Sequence, residues 1–293
     1  PADVAARALG ANAVAGKLRS LAAARAEAVT IVRTGSRGMA WLEPLIEVDT
    51  PKGRIGYGPV SASEVAGLFE AGFLRGGAHP LCIGSVENHE WMRGQTRVTF
   101  ARCGVVDPLS ADDHVAHGGQ KGLKRALRAG PAATIAEISA SGLRGRGGAG
   151  FPAGIKWKGA EAQADRKYIV CNADEGDSGT FADRMIMEGD PMALIEGMAI
   201  AAFAIGASKG FVYSRSEYPH ANATYAKALE ASRAAGLLGA NALGTGKAFD
   251  IELRVGAGAY VCGEETALLE SLEGKRGQVR AKPPLPVHAG LFG

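Results

Sequence analysis

The chain has 293 residues, enough for about two domains, with 46% hydrophobic and 22% charged residues in ordinary globular proportion. The formal charge is only +3, with acids and bases interspersed, which excludes the concentrated basic stripe of a nucleic-acid binder. The four cysteines, Cys82, Cys103, Cys171 and Cys262, form no CxxC pair, so neither a zinc site nor a disulfide framework is indicated; free thiols in a reducing cytosol are the plain reading.

In chain order, Ala11–Ala28 is rich in Ala, Leu, Arg and Glu and predicts a helix. Val29–Arg33 is a β-branched run ended by the Thr34–Gly38 turn cluster and predicts a strand. Trp41–Val48 and Arg54–Val60 read as a strand pair around the Asp49–Gly53 turn, Ser63–Phe73 as a helix and Thr96–Arg102 as a strand. These make a first domain over residues 1–108. Residues 109–133 are polar and contain Gly and His, with a short helix at Leu123–Arg128, and read as a linker.

From residue 134 the pattern changes. A helix at Ile135–Ser141 runs into the glycine-rich loop Gly142–Gly154. Strands at Tyr168–Cys171, Gly210–Ser214 and Phe249–Val255 alternate with helices at Pro191–Gly206, Pro219–Ala235 and Glu264–Leu272. Such alternation predicts a mostly parallel sheet covered on both faces, over residues 134–293. The longest apolar run, Met192–Ala207, is broken by Glu196 and Gly197 and reads as a buried helix of this domain, with no direct membrane insertion.

Three loops carry the chemistry. Gly145–Gly150 matches G-x-G-x-x-G, but a helix precedes it where a dinucleotide fold has a strand, so the match alone is weak. Its physics stands: consecutive glycines let backbone N–H groups approach a phosphate or a flat ring. Arg144, Arg146, Lys156 and Lys158 add positive charge around it. Asn172–Gly179 follows a strand and crowds Asp174, Glu175 and Asp177 between small residues. These carboxylates are not spaced like a cation loop, and no metal site is expected; acids at a strand end suit the hydroxyls of a ribose or ribityl chain. Gly256–Thr266 places Glu264 and Glu265 in the first turn of a helix, where the dipole alone favours acids.

At this point the motifs become recognisable. Gly142–Trp157, Tyr168–Asp183, Gly256–Leu268 and Lys282–Gly293, with the motifs GLRGRGGAGFP and IKW, CNADEG and GTFADR, and GAGAYVCGEETAL, resemble the FMN/NADH-binding subunit of respiratory complex I. They also resemble its relatives, the diaphorase subunit of NAD-reducing hydrogenase and the β subunit of NAD-dependent formate dehydrogenase. The resemblance runs from about Gly118 to the last residue. It implies an α/β protein in which a thioredoxin-like domain precedes a Rossmann-like flavin domain. FMN and NAD(H) are its cofactors, with hydride passing between nicotinamide C4 and flavin N5. It also implies that Gly145, Arg146, Gly147, Gly148 and Lys156 lie beside FMN. Asn172, Asp174, Glu175 and Asp177 surround the flavin and the nicotinamide site, with Glu175 acting on hydride transfer, and Tyr260, Gly263 and Glu264 line the flavin from its other side. Phe151, Glu265 and Lys282 match contacts to NAD(H). Three positions depart from the family pattern: Gly159 and Leu285 stand where an aromatic is frequent, and Asp177 where complex I commonly has Glu.

The family continues past the Ala289–Gly293 segment into a β-rich domain and a helical domain with a 4Fe–4S cluster, so these residues read as part of a longer subunit. The first domain resembles the thioredoxin-like 2Fe–2S ferredoxin of the partner subunit. With only Cys82 and Cys103 it cannot supply four cluster ligands and reads as a cluster-free copy used for docking. His79–Gly84 and Asp107–Asp113 resemble the formate dehydrogenase β subunit most. The expected partners are therefore a 2Fe–2S ferredoxin subunit and an iron–sulfur/molybdenum catalytic subunit, in the cytoplasm. The hydrogenase diaphorase and complex I readings stand beside this one, and a nucleotide-binding structural module without redox activity is the rival from another class.

Overall fold

A computed structural model describes residues 1–293. It comprises two compact units, residues 1–108 with Glu188–Asp190, and residues 109–187 with 191–293.

The first unit opens with helices α1 (Val4–Ala8) and α2 (Ala11–Ala24). Asp3 caps α1 by accepting from the backbone N–H of Ala5 at 3.1 Å. Strands β1 (Ile46–Thr50), β2 (Gly53–Tyr57) and β3 (Cys82–Ser85) pair antiparallel in the order β1-β2-β3. Helix α3 (Val65–Glu70) lies between β2 and β3, and α4 (Glu90–Arg93) follows. Val14 and Leu18 of α2 pack with Tyr57, Val65, Leu68 and Phe73 to form the core of this unit.

Two strands expected here do not form. Val29–Arg33 pairs with no strand: a β-branched run favours extended backbone, but strand formation also depends on a pairing partner, which this segment lacks. Thr96–Arg102 lies in turns with Val98 80% exposed, so it has no inward-facing apolar set. The third strand is Cys82–Ser85, four residues long with Gly84 at φ 75°, which reads in sequence as a breaker.

In the second unit, α5 (Ala111–Ala116) and α6 (Lys121–Ala129) occupy the stretch expected as a linker, followed by α7 (Pro131–Ala140) and α8 (Ala153–Glu161). Then come β4 (Tyr168–Ala173), α9 (Ala182–Gly189), α10 (Pro191–Ile205), β5 (Lys209–Ser214), α11 (Pro219–Ala234), β6 (Asp250–Val255) and α12 (Glu265–Leu272). The strands are parallel in the order β4-β5-β6. Side chains of β5 alternate: Val212 packs with Met198, Tyr225 and Ile251, whereas Phe211 and Tyr213 pack with Leu268 and Leu269 of α12. Both faces of β5 are thus buried, as a parallel sheet requires.

Glu196, which interrupts the apolar run of α10, is satisfied inside the fold. It accepts from the backbone N–H of Gln120 (2.8 Å) and Leu123 (3.1 Å) at the start of α6, and lies 3.2 Å from His114 Nε2. A half-buried carboxylate here is stable because helix N–H groups and an imidazole replace water. No helix is long and apolar enough to cross a membrane.

Candidate functional site

The register of the parallel sheet sets the site. Ala173, Ser214 and Val255 stand abreast at the carboxyl ends of their strands. The residues that follow, 174–181, 215–218 and 256–264, therefore leave the sheet side by side. Ligands of open α/β sheets bind at this edge.

The acidic turn and the Tyr260–Gly263 turn of 3₁₀ helix dock onto each other. Asn172 Nδ2 donates to the Gly263 carbonyl at 2.7 Å, and its Oδ1 accepts from the Asp174 N–H at 3.1 Å. A Cβ added at Gly176 would lie 2.6 Å from the Tyr260 ring, so this close approach needs glycine. The Tyr260 ring is nonetheless 75% exposed, with one flank on Gly176 and the remainder open. Asp174 is half-buried; burial raises its carboxyl above the ordinary range, partly offset by Arg215.

Glu175 is turned inward and is 7% exposed. Its Oε1 accepts from the Asp183 N–H at 3.0 Å, and its Oε2 from the Arg184 N–H at 3.3 Å and the Tyr218 hydroxyl at 3.2 Å. It thus serves the first turn of α9, whose N–H groups lack helical partners. Asp183 sits beside it and is pushed up to about 6 by burial and by the neighbouring Glu175. Asp177 is exposed at the tip of the turn.

Glu264 is the N-cap of α12. Its Oε2 accepts from the N–H groups of Thr266 (2.8 Å) and Ala267 (2.9 Å), while its Oε1 accepts from Lys282 Nζ at 2.8 Å. Burial alone would raise its pKa, but the Lys282 ammonium and the Thr266 and Ala267 donors prevail and hold it at about 2. Lys282 also donates to Glu265 at 2.8 Å, and Lys156 of α8 meets Glu265 at 3.5 Å. Lys156, Glu265, Lys282 and Glu264 form an alternating chain of charge that joins α8 to the start of α12.

The glycine-rich loop is pinched at its base and open at its tip. Gly145 N–H donates to the Phe151 carbonyl at 2.9 Å, Ala153 N–H to Leu143 at 2.8 Å, and Arg144 Nη1 to Gly150 at 3.0 Å. Gly148 and Gly150 have φ of 101° and 61°, which glycine alone adopts without strain. Gly147 has no such φ, and a Cβ there would meet no atom within 4 Å. Nothing within the chain demands glycine at 147. Arg146 and Phe151 are exposed, Phe151 by 50%.

FMN combines a flat ring, a hydroxylated chain and a phosphate. The residues present fit each part: open glycine backbone, an exposed tyrosine ring backed by glycine, Asn172 and Asp174 at a strand end, and the cations Arg146 and Lys156. The geometry brings together Asn172, Asp174, Glu175, Tyr260 and Gly263, and separately Lys156, Glu264, Glu265 and Lys282. Sequence reasoning missed Arg215 and Tyr218, which hold Glu175 from the turn after β5; the only signal was their place at a strand end.

A parallel sheet with glycine- and acid-rich turns at its carboxyl edge defines a nucleotide-binding α/β domain. Residues 138–292, just over half of the chain, match the Nuo51 FMN-binding domain family, and the chain belongs to that family. It is 54% identical over 199 residues to the NADP-reducing hydrogenase subunit HndC of Solidesulfovibrio fructosivorans, covering 68% of this chain and 40% of that relative. It is 52% identical over 162 residues to the mitochondrial NADH dehydrogenase (ubiquinone) flavoprotein 1 of Dictyostelium discoideum, covering 54% and 34%. A crystal structure of an NAD+-reducing NiFe-hydrogenase in the air-oxidized state aligns over 99% of this chain and 48% of that one, with TM-score 0.52 and 28% identity. The chain thus spans less than half the length of these relatives.

Proposed function

We propose that this chain is the FMN- and NAD(H)-binding module of an NAD-linked oxidoreductase, and that the parent complex is an NAD-dependent formate dehydrogenase. The observation that carries the reading is the convergence of the acidic turn, the Tyr260–Glu265 turn and the Lys156-bearing helix in one family-matched domain. Bound FMN supplies the exchange between a two-electron hydride carrier and one-electron iron–sulfur carriers. The chain's own residues bind and orient. Gly145, Gly147 and Gly148 present backbone to the flavin, and Arg146 and Lys156 balance the phosphate. Asn172 and Asp174 receive hydroxyls, and Tyr260 and Phe151 offer apolar faces that exclude water. Glu265 and Lys282 hold the nicotinamide nucleotide, and Glu175 sets the orientation from which hydride passes.

The formate dehydrogenase reading rests on the His79–Gly84 and Asp107–Asp113 segments and on the long amino-terminal unit. Under it, the first unit is a cluster-free, thioredoxin-like docking domain, since Thr34–Gly38 holds no cysteine. Its neighbours are a 2Fe–2S ferredoxin subunit and a molybdenum subunit. A second reading, the diaphorase of an NAD-reducing hydrogenase, is favoured by the alignment over 99% of the chain to such an enzyme. The test is the native complex isolated through this chain. We expect yellow protein that releases FMN by mass analysis, and NAD+ reduction driven by formate. Reduction driven by hydrogen with none from formate selects the second reading; release of FAD, or of no flavin, overturns both.

A further inference from the structure

The acidic turn is held on its inner side by two residues of the turn after β5. Arg215 Nη1 donates to the Glu175 carbonyl, and its Nη2 to Glu217 Oε1 at 3.1 Å. The Tyr218 hydroxyl donates to Glu175 Oε2 at 3.2 Å. The guanidinium groups of Arg215 and Arg184 lie 5.0 and 5.8 Å from the Tyr218 ring centroid, two cation–π contacts. Asn222 Nδ2 in turn donates to the Arg215 carbonyl at 3.0 Å, tying this turn to the first turns of α11. Main chain and side chain of one residue, Glu175, are thus gripped separately, and the next residue, Gly176, carries the Tyr260 ring.

The Glu175 carboxylate also accepts from the Asp183 and Arg184 N–H groups of α9, so the grip couples the acidic turn to that helix. A carbonyl and a carboxylate held by two donors from a neighbouring strand end have one fixed orientation of the 175–176 peptide. We propose that Arg215 and Tyr218 are positioning residues, which set the efficiency of hydride transfer by locking the Glu175 carboxylate and the Glu175–Gly176 peptide, against which the Tyr260 ring lies. The inference rests on the functional reading above. The grip itself is a statement about this chain alone.

The experiment compares Tyr218→Phe, Arg215→Met and Arg215→Lys in the full chain, with two readouts. In flavin-free protein, amide hydrogen exchange is followed at residues 174–184. Tyr218→Phe and Arg215→Met raise it about tenfold, with the sheet amides of β5 unchanged, and Arg215→Lys restores most of the protection. In FMN-loaded protein, NADH-dependent ferricyanide reduction then loses about tenfold in kcat with KM within about twofold, because orientation is lost and binding is kept. Arg215→Lys recovers turnover to within about threefold of the parent. Wild-type exchange in both variants overturns the grip. Faster exchange with unchanged kcat, or a loss confined to KM, overturns the positioning role. A parent protein that binds FMN poorly and does not oxidise NADH instead refutes the functional reading, and the exchange arm still decides the grip.

Discussion

Replacing Glu264 by Gln isolates the contribution of one charge to the start of α12. Gln keeps an acceptor for the N–H groups of Thr266 and Ala267, but presents an amide to the Lys282 ammonium that now lies 2.8 Å from a carboxylate oxygen. The carboxyl is held at about 2 against an ordinary value of 4.5. The difference, about 2.5 units at ~1.4 kcal/mol each, sets a ceiling of about 3.4 kcal/mol. The side chain is 32% exposed, so solvent screening brings this to about 1–2 kcal/mol, the size of a good N-cap. The sign follows from the direction of the shift. A carboxyl depressed in the folded state stabilises fully above 4.5, and that contribution is lost as pH falls from 4.5 toward 2. Urea unfolding of the flavin-free chain should therefore show the variant weaker by about 1.5 kcal/mol at pH 7, with the gap closing below pH 4.5. A gap under about 0.3 kcal/mol at pH 7, or one that stays constant down to pH 3, refutes the reasoning.

Gly176→Ala puts a methyl 2.6 Å from the Tyr260 ring, which is exposed and free to swing away. We expect an unchanged thermal midpoint and at least a tenfold loss of FMN affinity by fluorescence titration. Gly154→Ala meets the Ser139 Cα at 2.7 Å, where backbone must shift to make room; calorimetry should show about 1–3 kcal/mol of destabilisation. Glu175→Gln turns one acceptor toward α9 into a donor and leaves a backbone N–H of the first turn without its partner. It should cost about 1–3 kcal/mol in unfolding experiments and about tenfold in NADH-dependent ferricyanide turnover.

The parallel half of the fold was legible because its strands and helices alternate at ordinary lengths and its glycines cluster at the junctions. The 174–181 and 256–264 loops are legible for the same reason, whereas the glycine-rich loop joins α7 to α8 and is legible from its glycine cluster alone. What the sequence hid was which way their acids turn. Glu175 precedes α9 by seven positions and belongs to no local capping pattern, so its service to the Asp183 and Arg184 N–H groups comes only from the tertiary fold. Lys282 meets Glu264 across 18 positions, a distance at which sequence offers no period. In the first unit, Val29–Arg33 has the composition of a strand and Cys82–Ser85 does not. Pairing partners decided both, and pairing is non-local.

The level ends of β4, β5 and β6 have a consequence for how this protein can vary. Because Ala173, Ser214 and Val255 share one rung of the ladder, each loop begins from the same plane whatever its own length or composition. A loop can be lengthened or exchanged with a relative's without moving the origin of the others. A slip of one residue in the sheet, by contrast, moves a whole strand by about 3.3 Å and turns its inward side chains outward. Substitutions beyond the last rung therefore act through the contacts the three loops make with one another, whereas those that alter pairing within β5 shift the whole strand.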